Sequence, residues 1–148
     1  MPIPPLNANG LLPPGIHETT LDEIRDRFGV FRGNEQRPRL FVSLAELVAA
    51  MQRSTLFEAL LVDGSFVTAK LTPNDMDIIA VLQPGHDFER DLLMSEYALV
   101  SRAMLRRRFR FDVVVAEKAS AVYTTYIEFF SRVRESPELR KGILSITL

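Results

Sequence analysis

The order of apolar and polar residues along the chain predicts alternating helices and strands. Apolar residues recur at helical spacing in some segments, and short apolar or alternating runs bounded by turn residues lie between them. The predicted helices span residues 20–28, 38–52, 88–108 and 119–134, and the predicted strands span residues 60–62, 78–82, 110–116 and 142–148. Three or four strands with interspersed helices indicate an α/β (α+β) fold, a mixed sheet flanked by helices.

The N-terminal segment differs in composition from the remainder. Residues 1–14 hold five of the nine prolines and little periodic apolar content, so residues 1–18 are expected to form an extended arm that crosses the surface or a partner. The remaining residues, 19–148, are expected to form a single domain, because a chain of 148 residues with 47% hydrophobic content can build one core.

The most informative motif joins a Gly-Ser turn, Gly64-Ser65, to the acidic residues Asp75 and Asp77 at the start of an apolar run. If both acids belong to that strand, their side chains emerge on one face about 7 Å apart, which suits a pair of magnesium ions. The alternative is a solvated turn after Pro73 that contains Asp75, with Asp77 hydrogen-bonded to the backbone.

This motif resembles the signature of the nucleotidyltransferase superfamily. That signature is a Gly-Ser turn, a short spacer, an acidic-apolar-acidic-apolar strand and a third acidic residue on a later strand. Gly64, Ser65, Asp75 and Asp77 match the first parts, and Asp112, which leads the apolar run to Ala116, matches the last. The resemblance implies a nucleotidyltransferase-like mixed sheet.

A closer resemblance runs nearly from end to end of the chain. It is to a group of short, largely uncharacterised bacterial nucleotidyltransferase-like proteins, and it rests on residues 12–17, 63–70, 128–130 and 141–143. The superfamily's chemistry implies that Asp75 and Asp77 hold two Mg²⁺ ions that bridge a nucleoside triphosphate. Asp112 then holds the catalytic ion or orients the attacking hydroxyl.

The same resemblance implies a nucleotide-binding role for Gly64, Ser65 and Lys70. Gly64 allows the backbone to approach closely, and Ser65, expected to open a short helix, presents its hydroxyl and amide to phosphate. Lys70 is the weaker candidate, for phosphate neutralisation, because a single lysine after a helical turn is more often only solvated.

A basic cluster precedes the strand that begins near Asp112, and it has two interpretations. Cations are favoured near a helix C-terminus, which explains much of the cluster without a ligand, and a nucleic-acid contact is the alternative. The cluster comprises Arg102, Arg106, Arg107, Arg108 and Arg110. The aromatic residues of the following helix, among them Tyr126 and Phe129, are expected to be core.

Charge and composition narrow the classes of function. The 18 basic and 19 acidic residues give a net charge of −1, which predicts no bulk attraction to nucleic acid or to an anionic membrane. No apolar stretch reaches the length of a membrane span, so a cytoplasmic protein with no membrane partner is expected. The absence of cysteine excludes disulfides and thiolate zinc sites.

Two hypotheses of different classes follow. The first is a magnesium-dependent nucleotidyltransferase that moves a nucleoside monophosphate from a nucleoside triphosphate to a hydroxyl of a protein, an RNA or a small molecule. The second is a non-catalytic binding module, such as an antitoxin-like or phage-defence protein, that uses the same fold to hold a protein partner encoded by a neighbouring gene.

Overall fold

Helices pack on both faces of a five-stranded sheet in the computed structural model, which describes residues 3–133 and 136–148. The α-helices are α1 (Leu21–Phe28), α2 (Gln36–Ser54), α3 (Met94–Val100), α4 (Arg102–Phe109) and α5 (Ala121–Ser131). The strands are β1 (Ile16–Thr19), β2 (Phe57–Asp63), β3 (Asp77–Leu82), β4 (Asp112–Ala116), β5 (Arg132–Val133), β6 (Ser136–Arg140) and β7 (Ile143–Thr147). A short 3-10 helix, Ser65–Val67, follows β2.

The sheet is mixed, with strand order β1-β7-β2-β3-β4. The pairs β1/β7 and β3/β4 are parallel, and β2 is antiparallel to both of its neighbours, β7 and β3. Strands β5 and β6 pair separately as a small antiparallel ribbon. The predicted mixed α/β fold is therefore confirmed, but the sheet has five strands among the described residues, where three or four were expected.

The additional strand, β1, explains that difference. Its sequence, Ile-His-Glu-Thr, carries little apolar signal, and it pairs with β7 at the opposite end of the chain, Ile16 opposite Ile143. Because β1 and β7 are far apart in the sequence, their pairing cannot be predicted from the pattern of residues within either segment. The expected boundary between an arm and a domain at residue 18 remains a prediction, and residues 16–19 belong to the sheet.

The two faces of the sheet carry cores of different size. The larger core lies under α1, α2, α3 and α4 and receives alternate strand residues such as Val62, Ile78 and Leu144. The smaller core lies under α5 and receives the residues between them, including Leu61, Ile79 and Ile143, which pack around Phe130. This strict alternation fixes which face each polar residue at a strand end must occupy.

The predicted helix over residues 88–108 is wrong in its first third and in its continuity. The Asp87 side chain accepts from the Glu89 amide at 3.0 Å, a local turn that competes with helix formation. Ser101 has an extended conformation and its hydroxyl accepts from the Met104 amide at 3.3 Å, so it ends α3 and caps α4.

The proline-rich segment lies along the domain. Leu12 and Ile3 are buried in the larger core, and Arg27 donates to the carbonyls of Ile3 and Pro4 at 2.9 and 3.2 Å. Across the described residues, no helix is both long and apolar enough to span a bilayer.

Candidate active site

Three aspartates lie side by side across adjacent strands and form what we term the acid row. Asp63 at the end of β2 is paired with Asp77 at the start of β3, and Asp77 is paired with Asp112 at the start of β4. Directly paired residues have Cβ atoms about 5 Å apart and share a face of the sheet. Since Ile78 and Val113 enter the larger core, the acid row lies on the face that α5 covers.

Asp75 is placed differently from the expectation that it shares a strand with Asp77. It lies in the loop before β3, and its carboxylate accepts hydrogen bonds from the Ser65 amide at 3.1 Å and from the Ser65 hydroxyl. Partial burial favours a higher pKa for Asp75, but the Ser65 hydrogen bonds and the charges of Lys141 and Lys70 hold that pKa below its ordinary value. Asp75 therefore lies in an irregular loop, not in the strand with Asp77, and its carboxylate is held by Ser65.

The Gly-Ser turn packs directly against the backbone that carries the acids. Gly64 has φ +96°, and a Cβ atom there would lie 2.8 Å from the Asp75 carbonyl oxygen and 2.9 Å from the Met76 Cα. Only glycine can adopt this positive φ and also leave room for the backbone of residues 75 and 76. Ser65 opens the 3-10 helix, as expected, but its hydroxyl accepts from the Asn74 and Asp75 amides at 3.1 and 3.3 Å. That hydroxyl therefore holds the acidic loop in place.

Arg37, which is not among the predicted site residues, holds the segment after this turn in place through hydrogen bonds. Its buried guanidinium donates to the carbonyls of Phe66 at 2.7 Å, Thr68 at 2.8 Å and Lys70. Burial lowers the pKa of Arg37 from its ordinary value. The sequence pattern did not indicate this role, because the predicted helix begins at residue 38 and Arg37 belongs to the polar stretch before it.

Asp112 is held by Arg102 from the start of α4. The guanidinium donates to both carboxylate oxygens, from Nε at 2.8 Å and from Nη2 at 2.6 Å, and it donates to the Tyr126 hydroxyl at 3.1 Å. These hydrogen bonds keep the pKa of Asp112 below its ordinary value, against a smaller opposing effect of burial. The predicted site acid is thus neutralised by a member of the basic cluster.

Asp63 is the acid that the sequence analysis missed. Its side chain is 2% exposed, and Lys141 lies 3.3 Å from its Oδ2. Its Oδ1 is buried and has no hydrogen-bond partner among the residues described. Burial raises the pKa of Asp63 to about 7, although the Lys141 charge opposes the shift. In the sequence, Asp63 lies two residues after Leu61 in an apolar strand, so its side chain is expected on the same face of the sheet as that of Leu61. No residue near Asp63 in the sequence indicated that Lys141 would be its partner.

Two cavities meet at the acids. The first, of about 950 Å³, is the lysine cavity; its lining includes Asp63, Gly64, Ser65, Lys70, Arg132 and Lys141. The second, of about 640 Å³, is the arginine cavity; its lining includes Arg102, Arg106, Arg110, Asp112 and Tyr126. Both are also lined by Asn74, Asp75, Asp77, Phe129 and Phe130. All six predicted site residues therefore line at least one of two adjoining cavities.

The carboxylates in this arrangement are engaged by groups of the protein. In residues 3–133 and 136–148, no three carboxylate or imidazole side chains are grouped so as to hold a metal ion. Arg102 donates hydrogen bonds to the Asp112 carboxylate, and Ser65 donates a hydrogen bond to the Asp75 carboxylate. The donors are hard oxygens, which Mg²⁺ prefers, and the buried Asp63 Oδ1 lacks a hydrogen bond. The residues thus suit magnesium by the chemistry of their oxygen donors, but they are not grouped to hold a metal ion while Arg102 holds Asp112.

Comparison with known proteins gives a single match. The model of DUF6932, described as a family of unknown function, matches residues 4–147. Neither the search of curated proteins nor the search of solved structures found a match.

Proposed function

The chain belongs to DUF6932, a family of unknown function, and we propose from its site that it is a magnesium-dependent nucleotidyltransferase. The observation that carries the proposal is the pairing of Asp77 with Asp112 on adjacent parallel strands, beside a Gly-Ser turn and at the junction of two cationic cavities. Such a site suits transfer of a nucleoside monophosphate from a nucleoside triphosphate to a hydroxyl.

The lysine cavity suits the nucleoside triphosphate. Lys70, Arg132 and Lys141 line this one cavity. Arg132 is paired with Glu128 and Lys141 with Asp63, so Lys70 is the one of the three that forms no ion pair within the described residues and can meet a triphosphate directly. The absence of a side chain at Gly64 lets the Gly-Ser turn lie close to the acidic loop. These features support binding of a nucleoside triphosphate in this cavity.

Magnesium would be held by Asp75, Asp77 and Asp112. When bound, it would supply positive charge that offsets the charge of the phosphates and the charge that develops during transfer. Arg102 must first turn away from Asp112, and Tyr126, which lies on α5 and holds the same guanidinium, helps to set its resting position. Asp63 borders these ligands from the buried side of the acid row.

The transfer itself is a balanced displacement. The acceptor hydroxyl oxygen forms a bond to the α-phosphorus, and the bond from that phosphorus to the bridging oxygen of the β-phosphate breaks. The electron pair leaves with pyrophosphate, whose negative charge Lys70 offsets. The hydroxyl proton passes to the Asp77 carboxylate, which lines both cavities, and from there to solvent.

Calorimetric titration with a non-hydrolysable nucleoside triphosphate tests the proposal. We expect binding that requires Mg²⁺ and weakens at least about tenfold in Asp75→Ala and Asp77→Ala, because each carboxylate supports the metal. Asp22→Ala, at an exposed position of α1, is the matched control and should bind as the wild type does. Absence of nucleotide binding, or binding that neither substitution in the site alters, would contradict the proposal.

A non-catalytic binding module is the second candidate, and the occupied carboxylate of Asp112 favours it. A carboxylate held at both oxygens by Arg102 is already satisfied without a metal. Size-exclusion chromatography with the product of the neighbouring gene tests this candidate. A stable complex from a protein that binds no nucleotide would support it, and the absence of a complex would count against it.

A further inference from the structure

We propose that the arginine cavity binds the 3′ end of a single-stranded nucleic acid, which is the acceptor of the transferred nucleotide. This inference rests on the proposed function and names its second substrate. The starting observation is that the two cavities share Asp75 and Asp77 but take their cations from different parts of the chain. A donor in the lysine cavity therefore leaves the arginine cavity, on the other side of the same acids, for the acceptor.

The charges of the arginine cavity call for an anionic ligand. Residues 102–110 contain five arginines and no acidic residue. Arg102 is paired with Asp112, whereas Arg106 and Arg110, which also line the cavity, form no side-chain hydrogen bond or ion pair within the described part of the chain. Unpaired guanidinium groups in a concave site are typical phosphate-binding groups.

The cationic surface extends beyond the cavity, which favours a strand over a small molecule. Arg107, which follows Arg106 on α4, is exposed outside the cavity lining, about 100° further round the helix. One phosphorylated small molecule would use the cavity alone, but successive phosphates of a strand can follow the helix outward. The overall charge of −1 is consistent with such local attraction, because the arginines are concentrated on one element.

An aromatic ring at the junction of the cavities supplies a stacking surface. Phe129 was expected to be core, but it is 60% exposed, and it lines both cavities next to buried Phe130. A base stacked on an exposed ring is a sequence-tolerant mode of single-strand binding. The strand would then present its terminal 3′-hydroxyl beside Asp77, where the displacement described above requires the attacking oxygen.

Fluorescence anisotropy with a labelled single-stranded oligonucleotide of about 12 nucleotides tests the binding. The double variant Arg106→Gln/Arg110→Gln should weaken binding at least about tenfold and reduce the slope of log affinity against log salt by about two. The matched control, Arg39→Gln/Arg53→Gln, removes two exposed arginines that line neither cavity and should change binding less than about threefold.

A second variant separates stacking from charge. Phe129→Leu keeps an apolar side chain but removes the ring, so binding should weaken roughly fivefold to tenfold with the salt slope unchanged. The inference is overturned if the wild type does not bind the oligonucleotide at about 50 mM salt, or if the two double variants bind equally. It is also overturned if a duplex of the same sequence binds as tightly as the single strand.

Extension of the oligonucleotide distinguishes this inference from the proposed function. With a nucleoside triphosphate and Mg²⁺, wild type should add nucleotides at the 3′ end, and Asp77→Asn should not. If the oligonucleotide binds and the triphosphate binds but no extension occurs, the strand is not the acceptor and this inference fails. If the oligonucleotide binds but the triphosphate neither binds nor is transferred, the nucleotidyltransferase proposal fails and a nucleic-acid site remains. If transfer occurs only to other hydroxyls and the oligonucleotide does not bind, this inference fails and the nucleotidyltransferase proposal stands.

Discussion

The two ends of the acid row are both neutralised by a cation, but in opposite environments. At one end, Asp63 is 2% exposed and Lys141 is 18% exposed. At the other, Asp112 is 17% exposed and Arg102 is 55% exposed. Only at the buried end does an oxygen, Asp63 Oδ1, lack a hydrogen bond within the described residues.

The difference in burial distinguishes the Lys141–Asp63 pair, which is fixed in the folded protein, from the Arg102–Asp112 pair, whose arginine is more accessible to water. Removing one partner of a buried pair leaves a charge out of water and is strongly destabilising, whereas an exposed pair contributes about 0–1 kcal/mol. The Lys141–Asp63 pair therefore belongs to the folded scaffold. Arg102 is half-exposed, so water can take up its hydrogen bonds when it leaves Asp112, a release that a metal-binding site at Asp77 and Asp112 requires.

The largest effect is expected from breaking the buried pair. At about pH 8, above the raised pKa of Asp63, Lys141→Met should lower the free energy of unfolding by about 3 kcal/mol, because it leaves the Asp63 carboxylate buried without its cation. Urea denaturation measures the change. Lys118→Met, at an exposed position, is the control and should stay within about 0.5 kcal/mol of wild type. Equal effects of the two substitutions would refute the distinction.

The backbone next to the buried end should be almost as sensitive. Gly64→Ala combines an unfavourable φ of +96° with a Cβ atom 2.8 Å from the Asp75 carbonyl oxygen, and it should destabilise the fold by about 2–3 kcal/mol. Gly85→Ala is matched, because Gly85 has φ +75° with no heavy atom within 4 Å of the added Cβ. It should lose only about 1 kcal/mol in the same denaturation experiment.

The acid at the buried end should also give stability an unusual pH dependence. The pKa of Asp63 is raised to about 7 from its ordinary value of 3.8, so between these values the folded chain holds a proton that the unfolded chain releases. Stability therefore falls as pH rises through this window, by up to about 1.4 kcal/mol per pH unit. Asp75 and Asp112 have lowered pKa values and contribute the opposite dependence, at lower pH.

Asp63→Asn isolates this contribution, because an amide does not titrate. Its free energy of unfolding, measured from about pH 5 to pH 8, should lack the decline seen for wild type. Parallel profiles for the two proteins would show that Asp63 is ionised across this range in the folded chain, contrary to its burial.

The smallest effect on stability is expected at the exposed end. Arg102→Met should change the free energy of unfolding by less than about 1 kcal/mol, because its partner stays in contact with water. The same substitution frees Asp112 and should strengthen Mg²⁺ binding severalfold in a calorimetric titration. Weaker Mg²⁺ binding in this variant would mean that Arg102 does not compete with the metal.

The parts of the fold that local pattern determines were predictable. The apolar run of β3 and the helix start after the Thr20 cap follow from spacing and capping within a few residues. The short helix at Ser65 was expected from the resemblance to the nucleotidyltransferase superfamily. The break at Ser101 was missed, because apolar spacing continues across it and a capping serine looks like an ordinary polar position.

Only the features of the candidate site that depend on residues close together in the sequence were predictable. Gly64, Ser65 and Asp77 form a recognisable motif, but the pairing of β2 with β7 brings Lys141 to Asp63 from a distant part of the chain. Sheet register of this kind depends on contacts between strands and not on any one segment. Likewise, nothing in the sequence distinguished Arg102 from the other arginines near it. The packing of α4 beside β4 is what brings Arg102 to Asp112.

Manganese binding followed by electron paramagnetic resonance tests the central claim most directly, because Mn²⁺ substitutes for Mg²⁺ at carboxylate sites and its free ion is observed. With a nucleoside triphosphate present, wild type should deplete the free-ion signal. Asp77→Asn should weaken this binding at least about tenfold, and Asp22→Asn should leave it unchanged. Equal binding by wild type and Asp77→Asn would contradict the account.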